Sequence, residues 1–203
     1  MCGIAGIIDL KNNFKSTELK SSVKKMIRVI NYRGPDESGT WNDNIAYIAH
    51  ARLSIVDLSF NGTQPMVSSC GRYIISYNGE IYNTKYLKKK LNQINVFTKG
   101  HSDTEILLES IVNFGLKNTL EKVDGMFAFG LWDVKKKEFK LVRDKVGIKP
   151  VYWSLFKGSL AFASELKPFL EIPNQKLEID INALASFFRH NYIPAPYSIY
   201  KNI

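Results

Sequence analysis

The stretch MCGIAGII, residues 1–8, places one small thiol residue directly before a short apolar run. The run has the length and composition of a β-strand. The small side chain of Cys2 permits removal of Met1, which would leave a thiol beside a free α-amine. Such a pair is chemically complete, because the thiolate is a nucleophile and an α-amine with an ordinary pKa near ~8 can act as its base without a histidine. The alternative is that residue 2 has a small side chain for no catalytic reason.

Short apolar segments of strand length recur along the rest of the chain. Strands are predicted at 46–53, 73–77, 126–132, 139–143, 151–154 and 160–163. Apolar residues at helical spacing predict helices at 17–30, 85–91 and 104–114. Strands that are interrupted by a few helices, rather than alternating with them, favour an α+β fold built on antiparallel sheets and disfavour a Rossmann-type parallel sheet.

The segment that follows residue 170 has a different character. Prolines interrupt it at 173, 194 and 196, and residues 181–189 are predicted to form a helix. Its last residues, 200–203, have the composition of a β-strand, but no strand is predicted that could pair with them. We therefore expect residues 1–170 to form one domain and residues 171–203 to be a C-terminal extension that leads to a domain outside this sequence.

Composition and charge narrow the class of protein. The 203 residues are 45% hydrophobic and 23% charged, which is typical of a globular protein and excludes disorder as the main state. No run reaches the ~20 apolar residues of a membrane-spanning helix and no signal peptide is recognisable, so no membrane association and a cytoplasmic location are expected. The net charge of +9 comes mostly from lysines, such as those at 88–90 and 135–137. Such lysines are typical of solvated faces, so no nucleic-acid partner is expected.

Cysteine and histidine usage argues against a metal site. Cys2 and Cys70 are the only cysteines, which allows at most one disulfide, and the three histidines lie far apart in the sequence. No zinc-binding spacing occurs, so no metal ligands are expected in this segment. Cys70 lies in a predicted loop and is interpreted as structural or incidental.

The pair Asn78-Gly79 has two interpretations. An Asn-Gly pair between alternating apolar residues is typical of a hairpin turn. Alternatively, the Asn78 amide and the Gly79 backbone N–H point at one spot and stabilise an oxyanion, since a glycine allows close approach to the backbone.

Two further positions carry charge where a substrate could meet it. Ser102 and Glu105 fit a helix capping box, in which Glu105 reaches back to the N-cap; that motif does not use Asp103, whose carboxylate is free to meet a substrate ammonium. Arg52 is an isolated arginine in an apolar strand. Its planar guanidinium suits a carboxylate, either an internal one such as Asp57 or that of a ligand.

Several short motifs follow one another in a fixed order along the chain. They are CGIAG (2–6), RGPD (33–36), RLSIVD (52–57), NGEIYN (78–83), SDTE (102–105), GMFAF (125–129) and RDKVGIKP (143–150). Each motif is weak alone, but the ordered set resembles the glutaminase domain of a class II glutamine amidotransferase of the asparagine-synthetase type. The resemblance covers about residues 2–170. It implies an N-terminal-nucleophile hydrolase fold, an αββα sandwich of two antiparallel sheets flanked by helices.

The resemblance also implies which residues perform the reaction. Cys2 is then the nucleophile, with its own α-amine as the base. Asn78 and Gly79 form the oxyanion hole. The expected activity is hydrolysis of L-glutamine to glutamate and ammonia through a glutamyl thioester on Cys2.

The substrate-binding residues implied by the resemblance match the charges of a zwitterion. Arg52 would hold the α-carboxylate of glutamine. Glu80 and Asp103 would hold the α-ammonium, and the backbone near Leu53 and Ile55 would line the pocket.

The family resemblance further implies a second domain that uses ammonia. That synthetase domain would require ATP and Mg²⁺ and would take aspartate or another carboxylate as acceptor, whereas residues 1–203 are expected to need no cofactor. Two alternatives stay open: a catalytically silent regulatory or docking module on the same fold, and a cysteine-dependent amide hydrolase of other specificity. A homodimer is left open as well.

Overall fold

Two antiparallel β-sheets form the centre of the molecule in the computed structural model, which describes residues 1–203. The strands are β1 (Gly3–Ile8), β2 (Glu37–Asn42), β3 (Ala46–Arg52), β4 (Met66–Val67), β5 (Tyr73–Ile81), β6 (Gly125–Asp133), β7 (Glu138–Arg143), β8 (Tyr152–Phe156) and β9 (Ser159–Ala163). The α-helices are α1 (Ser16–Arg28), α2 (Thr84–Asn92), α3 (Asp103–Phe114), α4 (Leu116–Leu120) and α5 (Ile181–His190). Short 3-10 helices occupy Asn31–Arg33, Phe60–Gly62 and Lys167–Glu171.

The first sheet has the strand order β2-β3-β1-β9-β8 and the second has the order β4-β5-β6-β7. Every neighbouring pair is antiparallel. The N-terminal strand β1 therefore lies at the centre of its sheet, between β3 and β9. Cys2 immediately precedes this central strand, so its backbone is held by the most enclosed part of the sheet.

Alternation of side chains along β1 builds two layers of the core at once. Ile4 and Ile8 point toward the second sheet and pack in a cluster that includes Trp132 and Phe162, whereas Ala5 and Ile7 point toward α1. A third apolar cluster joins β5 and β6 to α2 and α3. The layers are therefore helix, sheet, sheet and helix, which agrees with the sandwich implied by the sequence resemblance.

Most predicted elements are present, with changes at their ends. The predicted helix at 17–30 is α1, and the strand predicted at 73–77 continues through Asn78 and Gly79 to Ile81 as β5. The hairpin-turn interpretation of Asn78-Gly79 is therefore wrong. Two strands, β2 and β4, were not predicted: β2 reads ESGTWN, which lacks the apolar alternation of a strand, and β4 has only two residues.

The C-terminal segment is packed onto the first sheet. Phe169 and Ile172 are buried in the cluster beneath α1, and the predicted helix is α5. The expectation that residues 200–203 lack a partner is wrong, because Tyr200 forms an antiparallel bridge with Ile179. The domain boundary expected at residue 170 falls within the last 3-10 helix and stays a prediction. None of the helices has the length and apolar character needed to cross a bilayer.

Candidate active site

A cleft of about 240 Å³ opens between the two sheets at the start of β1. This volume is below the usual range for drug-sized ligands and favours a molecule of amino-acid size. All of the residues that the sequence proposed for the site line it: Cys2, Arg52, Leu53, Ile55, Asn78, Gly79, Glu80 and Asp103. The fold thus brings together residues from the N-terminus, from the end of β3 and the loop after it, from β5 and from the first turn of α3. Their individual roles stay predictions.

The Cys2 sulfur lies against the backbone of Leu53. The Leu53 N–H donates to Sγ over 3.5 Å, and the thiol donates weakly to the Leu53 carbonyl oxygen over 3.8 Å. Burial raises the pKa of the Cys2 thiol above its ordinary value, and the Leu53 N–H opposes this shift because it stabilises the thiolate. Both cysteines of the chain are free thiols. The sulfur is therefore available for chemistry, but the resting form is the thiol, which needs a base.

The RGPD motif, residues 33–36, fixes the backbone on both sides of this sulfur. Arg33 donates from Nε to the Cys2 carbonyl oxygen over 3.0 Å, and Asp36 accepts from the Ser54 N–H over 2.7 Å. Gly34 is required between them, since a Cβ atom there would lie 2.2 Å from the carbonyl oxygen of Ala51. The sequence singled out this motif without assigning it a role, and the structure shows that it holds the Cys2 segment against the loop after β3.

The edge of β5 beyond β4 provides the candidate oxyanion hole. β4 pairs only with Ile74 and Ile75, so the next backbone groups along that edge need other partners. The Tyr77 N–H donates to Gln64 Oε1 over 2.7 Å, and the Ile81 N–H donates to Asp103 Oδ2 over 3.1 Å. Side chains thus replace the missing strand on either side of residue 79.

Gly79 is the one position on this edge whose N–H stays free. Its partner across the ladder, Phe127, bonds through both its N–H and its C=O to Asp144 on the far side of β6. In an antiparallel pair, the two opposite residues either both point their N–H and C=O groups at each other or both point them away from each other. Phe127 points them away from β5, so Gly79 points its N–H away from β6, toward the edge that lines the cleft. A Cβ atom at residue 79 would lie 2.5 Å from the Met126 carbonyl oxygen, so the strand requires glycine here.

Asn78 supplies a second unused donor. Its side chain is 2% exposed, and its Nδ2 atom is buried without any hydrogen-bond partner. A buried amide donor without an acceptor costs about 1–3 kcal/mol, so its retention needs an explanation. A negatively charged oxygen bound in the cleft would satisfy both this group and the Gly79 N–H.

The acidic end of the cleft is formed by Asp103 and Glu80. Asp103 Oδ2 accepts from the Tyr77 hydroxyl over 2.8 Å as well as from the Ile81 N–H. Burial raises the pKa of the Asp103 carboxyl, although these donors favour its charged form. Glu80 is exposed and its carboxylate makes no hydrogen bond within the chain, so both carboxylates can receive an ammonium group.

The capping box predicted around Asp103 is only half present. Ser102 is the N-cap of α3 and accepts from the Thr104 N–H over 3.2 Å. Glu105, however, does not reach back to Ser102. Its carboxylate accepts from the N–H groups of Lys99 and Gly100 over 2.8 Å each, and so it orders the loop before the helix.

Arg52 is already held by internal partners. Nη1 donates to Glu37 Oε2 over 2.9 Å, and Nη2 donates to the carbonyl oxygens of Asp57 and Ser59. The suggested pairing with the Asp57 carboxylate is wrong, because that carboxylate accepts from Ser59 and from the His101 N–H instead. The three bonds leave Nε and one Nη1 hydrogen of the guanidinium unused, so Arg52 can still receive a carboxylate.

Other cleft residues were not proposed from the sequence. Tyr77 and Gln64 position the backbone and Asp103, and Met1 and Lys149 lie at the same wall as Cys2. Tyr77 lies in the predicted strand at 73–77 and Lys149 in the motif at 143–150. The sequence therefore pointed to both segments but did not indicate that these two side chains line the cleft. No three His, Cys, Asp or Glu side chains are grouped as metal ligands.

Comparisons with known proteins agree with this geometry. Residues 1–203 match the family described as glutamine amidotransferase domain. The chain is 35% identical to asparagine synthetase [glutamine-hydrolyzing] 3 of Bacillus subtilis, over 93% of this chain and 30% of that protein. It is 36% identical to asparagine synthetase B [glutamine-hydrolyzing] of Escherichia coli, over 85% of this chain and 30% of that protein. The chain therefore spans about a third of the length of these relatives.

A solved structure supports the fold. The glutamine phosphoribosylpyrophosphate amidotransferase of B. subtilis superposes with a TM-score of 0.70 at 20% identity, covering 84% of this chain and 43% of that one. The layered sandwich predicted from the sequence is thus also the fold of that amidotransferase. The family match covers the whole sequence, and the sequence similarity to these relatives agrees with it. The chain therefore belongs to the class II glutamine amidotransferase domains and is homologous to the glutamine-hydrolysing asparagine synthetases.

Proposed function

We propose that this domain hydrolyses L-glutamine to glutamate and ammonia, with Cys2 as the nucleophile once Met1 has been removed. The observation that carries the proposal is the pair of unused donors, Asn78 Nδ2 and the Gly79 N–H, on the cleft that also holds the Cys2 sulfur. Unused donors beside a nucleophile match the needs of acyl transfer, in which negative charge develops on one oxygen.

The first half of the reaction forms a thioester. The free α-amine of Cys2 accepts the thiol proton, and Sγ forms a bond to the side-chain amide carbon of glutamine. The carbonyl electron pair moves to oxygen, where Asn78 and Gly79 donate to it. When the carbon–oxygen double bond re-forms, the carbon–nitrogen bond breaks, and the proton held by the α-amine passes to the departing nitrogen to give ammonia.

The second half returns the enzyme to its starting state. The α-amine accepts a proton from water, whose oxygen attacks the thioester carbon. The same donors stabilise the second oxyanion, and the carbon–sulfur bond then breaks to release glutamate. The sulfur recovers its proton from the α-amine, so no cofactor is consumed in either half.

Substrate orientation follows from charge. The unused guanidinium hydrogens of Arg52 suit the α-carboxylate, and Glu80 and Asp103 suit the α-ammonium. This arrangement favours a zwitterionic amino acid over a simple amide. It argues against the amide hydrolase of other specificity, which would not need Arg52 in the cleft.

In the full-length protein we propose that the ammonia reaches a synthetase domain that makes asparagine or a related amide. The support is that the similar proteins are glutamine-hydrolysing asparagine synthetases, which extend well beyond the matched segment. ATP and Mg²⁺ would act in that second domain. The acceptor, a homodimer and the cytoplasmic location stay predictions.

The experiment that tests the glutaminase proposal is covalent labelling of the full-length protein. A chloroketone analogue of glutamine should alkylate Cys2 Sγ with loss of chloride, as located by peptide mass spectrometry, and should abolish glutamate release. Cys2→Ala should prevent both labelling and activity, whereas Cys70→Ala, which removes an exposed thiol, should change neither.

Two outcomes would support the alternatives. A silent module would show neither labelling nor glutamate release although its N-terminus begins at Cys2. An amide hydrolase of other specificity would cleave 4-aminobutanamide, which is glutamine without the α-carboxylate, as fast as it cleaves glutamine.

A further inference from the structure

Lys149 is a buried cation without an anionic partner at the reaction end of the cleft. It is 6% exposed and lines the same cavity as Cys2. None of the ion pairs in the chain includes it, and its Nζ atom makes one hydrogen bond, to the Met1 sulfur at 3.4 Å. Buried lysines are normally paired, so an unpaired one beside a nucleophile calls for a role.

A rigid loop holds Lys149 in this place. The Asp144 carboxylate accepts from the N–H groups of Val146, Ile148 and Lys149 at 2.9–3.1 Å. Arg143 donates from Nε to the Lys149 carbonyl oxygen over 2.7 Å. The motif RDKVGIKP at 143–150, which had no role in the sequence, thus builds a loop that directs one lysine into the cleft.

Removal of Met1 changes what Lys149 faces. The thioether that contacts Nζ leaves with Met1, and the nitrogen of Cys2 becomes a free α-amine. Since the Met1 sulfur is joined to that nitrogen by five bonds, Nζ and the α-amine cannot be farther apart than about 10 Å. This upper limit is comparable to the Debye length in physiological salt, so the two positive charges still repel each other.

The other charges near the α-amine are paired or occupied during the reaction. Arg33 is paired with Glu165 at 2.8 Å, and Arg52 is paired with Glu37 at 2.9 Å. The Asp144 carboxylate is occupied by backbone N–H groups, as described above, and that of Asp57 by Ser59 and the His101 N–H.

Two acids remain on the cleft, and the α-ammonium of bound glutamine would balance one of their two charges. Glu80 and Asp103 would each face the α-ammonium of bound glutamine, and the α-carboxylate would face Arg52. Tyr77 is neutral, because burial raises the pKa of its hydroxyl well above the ordinary value. Lys149 is then the one cation on the cleft that is paired neither with an anion of the chain nor with a group of the substrate.

We propose that the ammonium of Lys149 keeps the α-amine of Cys2 unprotonated at neutral pH, so that the amine can accept the thiol proton. Lys149 acts through that amine and need not touch glutamine, so it is a positioning residue for the base. The inference rests on the proposed glutaminase function. A positive charge at this distance disfavours the protonated form of the α-amine and so lowers the pKa of that amine by about one unit.

The test is the pH dependence of kcat/KM for glutamine in the full-length protein. The acid limb of this profile is the fall in kcat/KM at low pH, where the α-amine of Cys2 becomes protonated. Lys149→Met should move it to higher pH by about one unit, with an up to tenfold loss of kcat/KM at pH values below the limb and little loss at pH values above it. Lys149→Gln, which keeps a polar side chain, should give the same shift, and Lys149→Arg should keep the wild-type limb. Lys145→Met removes an equal charge from an exposed position of the same loop and should leave the profile unchanged.

Three results separate the outcomes. An unmoved acid limb in both neutral variants overturns the inference. A loss of kcat/KM by the same factor at every pH also overturns it, since that result indicates a structural role alone. Failure of the proposed function is distinct, because the wild-type protein itself would then neither release glutamate nor be labelled at Cys2.

Discussion

Arg33 donates a hydrogen bond from Nε to the carbonyl oxygen of Cys2 over 3.0 Å, while its Nη1 atom pairs with Glu165 at 2.8 Å. One guanidinium therefore ties Cys2, the proposed nucleophile, to the segment after β9. The geometry needs two donors in a fixed fork, which lysine cannot supply. Glu165 also accepts from the Tyr32 hydroxyl, so the anchor continues to the protein surface.

Arg33→Lys should therefore lower kcat for glutamine hydrolysis by about tenfold with a smaller change in KM, because a hydrogen bond from a charged donor to the Cys2 backbone is lost. Steady-state release of glutamate measures the effect. Arg28→Lys, on an exposed turn of α1, is the matched control and should behave as wild type. A wild-type kcat in Arg33→Lys would contradict the anchoring role.

Asn78→Ala should reduce kcat by ~10²–10³-fold, since it removes one oxyanion donor. Its KM should change little because the amide meets the oxygen most strongly in the transition state. Ser76→Ala, two residues earlier on the same face of β5, is the control. Its hydroxyl donates to the Ala49 carbonyl oxygen over 3.0 Å, so that variant should lose stability but keep its rate. Equal rates in Asn78→Ala and wild type would refute the oxyanion assignment.

Asp103→Asn should raise KM for glutamine by about tenfold or more, because a charged partner of the α-ammonium is lost. Burial raises the pKa of the Asp103 carboxyl, so in the wild type KM should also rise as the pH falls through that raised value. The ionised carboxyl is penalised by burial, so its contribution to stability falls as pH rises through the same range. The neutral variant should thus unfold at no lower temperature than wild type at pH 7. Calorimetry and the pH profile of KM check both expectations, and an unchanged KM would exclude Asp103 from ammonium binding.

His50 should make the fold sensitive to mild acid. Its ring is fully buried and donates from Nε2 to the Tyr77 carbonyl oxygen over 3.0 Å, and burial lowers its pKa to about 4. In the unfolded chain the ring takes up its proton near pH ~6.5, so stability is present above that pH and is lost as the pH falls toward 4. The loss should be about 3 kcal/mol in the free energy of unfolding. Urea titrations between pH 7 and pH 4 measure it.

His50→Gln removes the titrating group while keeping a donor for Tyr77. Its stability at pH 7 should be lower than that of wild type, but it should change less between pH 7 and pH 4. A wild-type acid dependence in this variant would assign the effect to other groups.

Much of the site could be predicted because short motifs encode its local chemistry. The small residue before an apolar strand, the Asn-Gly pair and the Ser-Asp-Thr-Glu helix start each identify a reactive or charged group that the structure places on one cleft. Arg52 was identified in the same way, but its internal partner was not. Glu37 lies on β2, a strand with no apolar pattern, so nothing local indicated that it would face Arg52.

The remaining features depend on tertiary pairing. Whether residues 78 and 79 form a turn or continue a strand is decided by the long ladder between β5 and β6, which places Asn78 opposite Ala128. The free N–H of Gly79 depends in turn on Asp144, which draws Phe127 toward the other side of β6. These contacts join residues that lie far apart in the sequence, so the spacing of neighbouring residues could not predict them.

The two-residue length of β4 has a consequence for how this fold can vary. Exposed strand edges usually invite further pairing, and continuing the register of β4 by four residues, back to residue 62, would strengthen the second sheet. The same extension would cover the Gly79 N–H with a backbone carbonyl and so block the proposed oxyanion hole, without changing any residue that is proposed to bind glutamine. A gain of sheet structure at this place is therefore incompatible with the proposed reaction, and insertions or deletions in the segment before Met66 should be as harmful to the glutaminase activity as substitutions in the cleft itself.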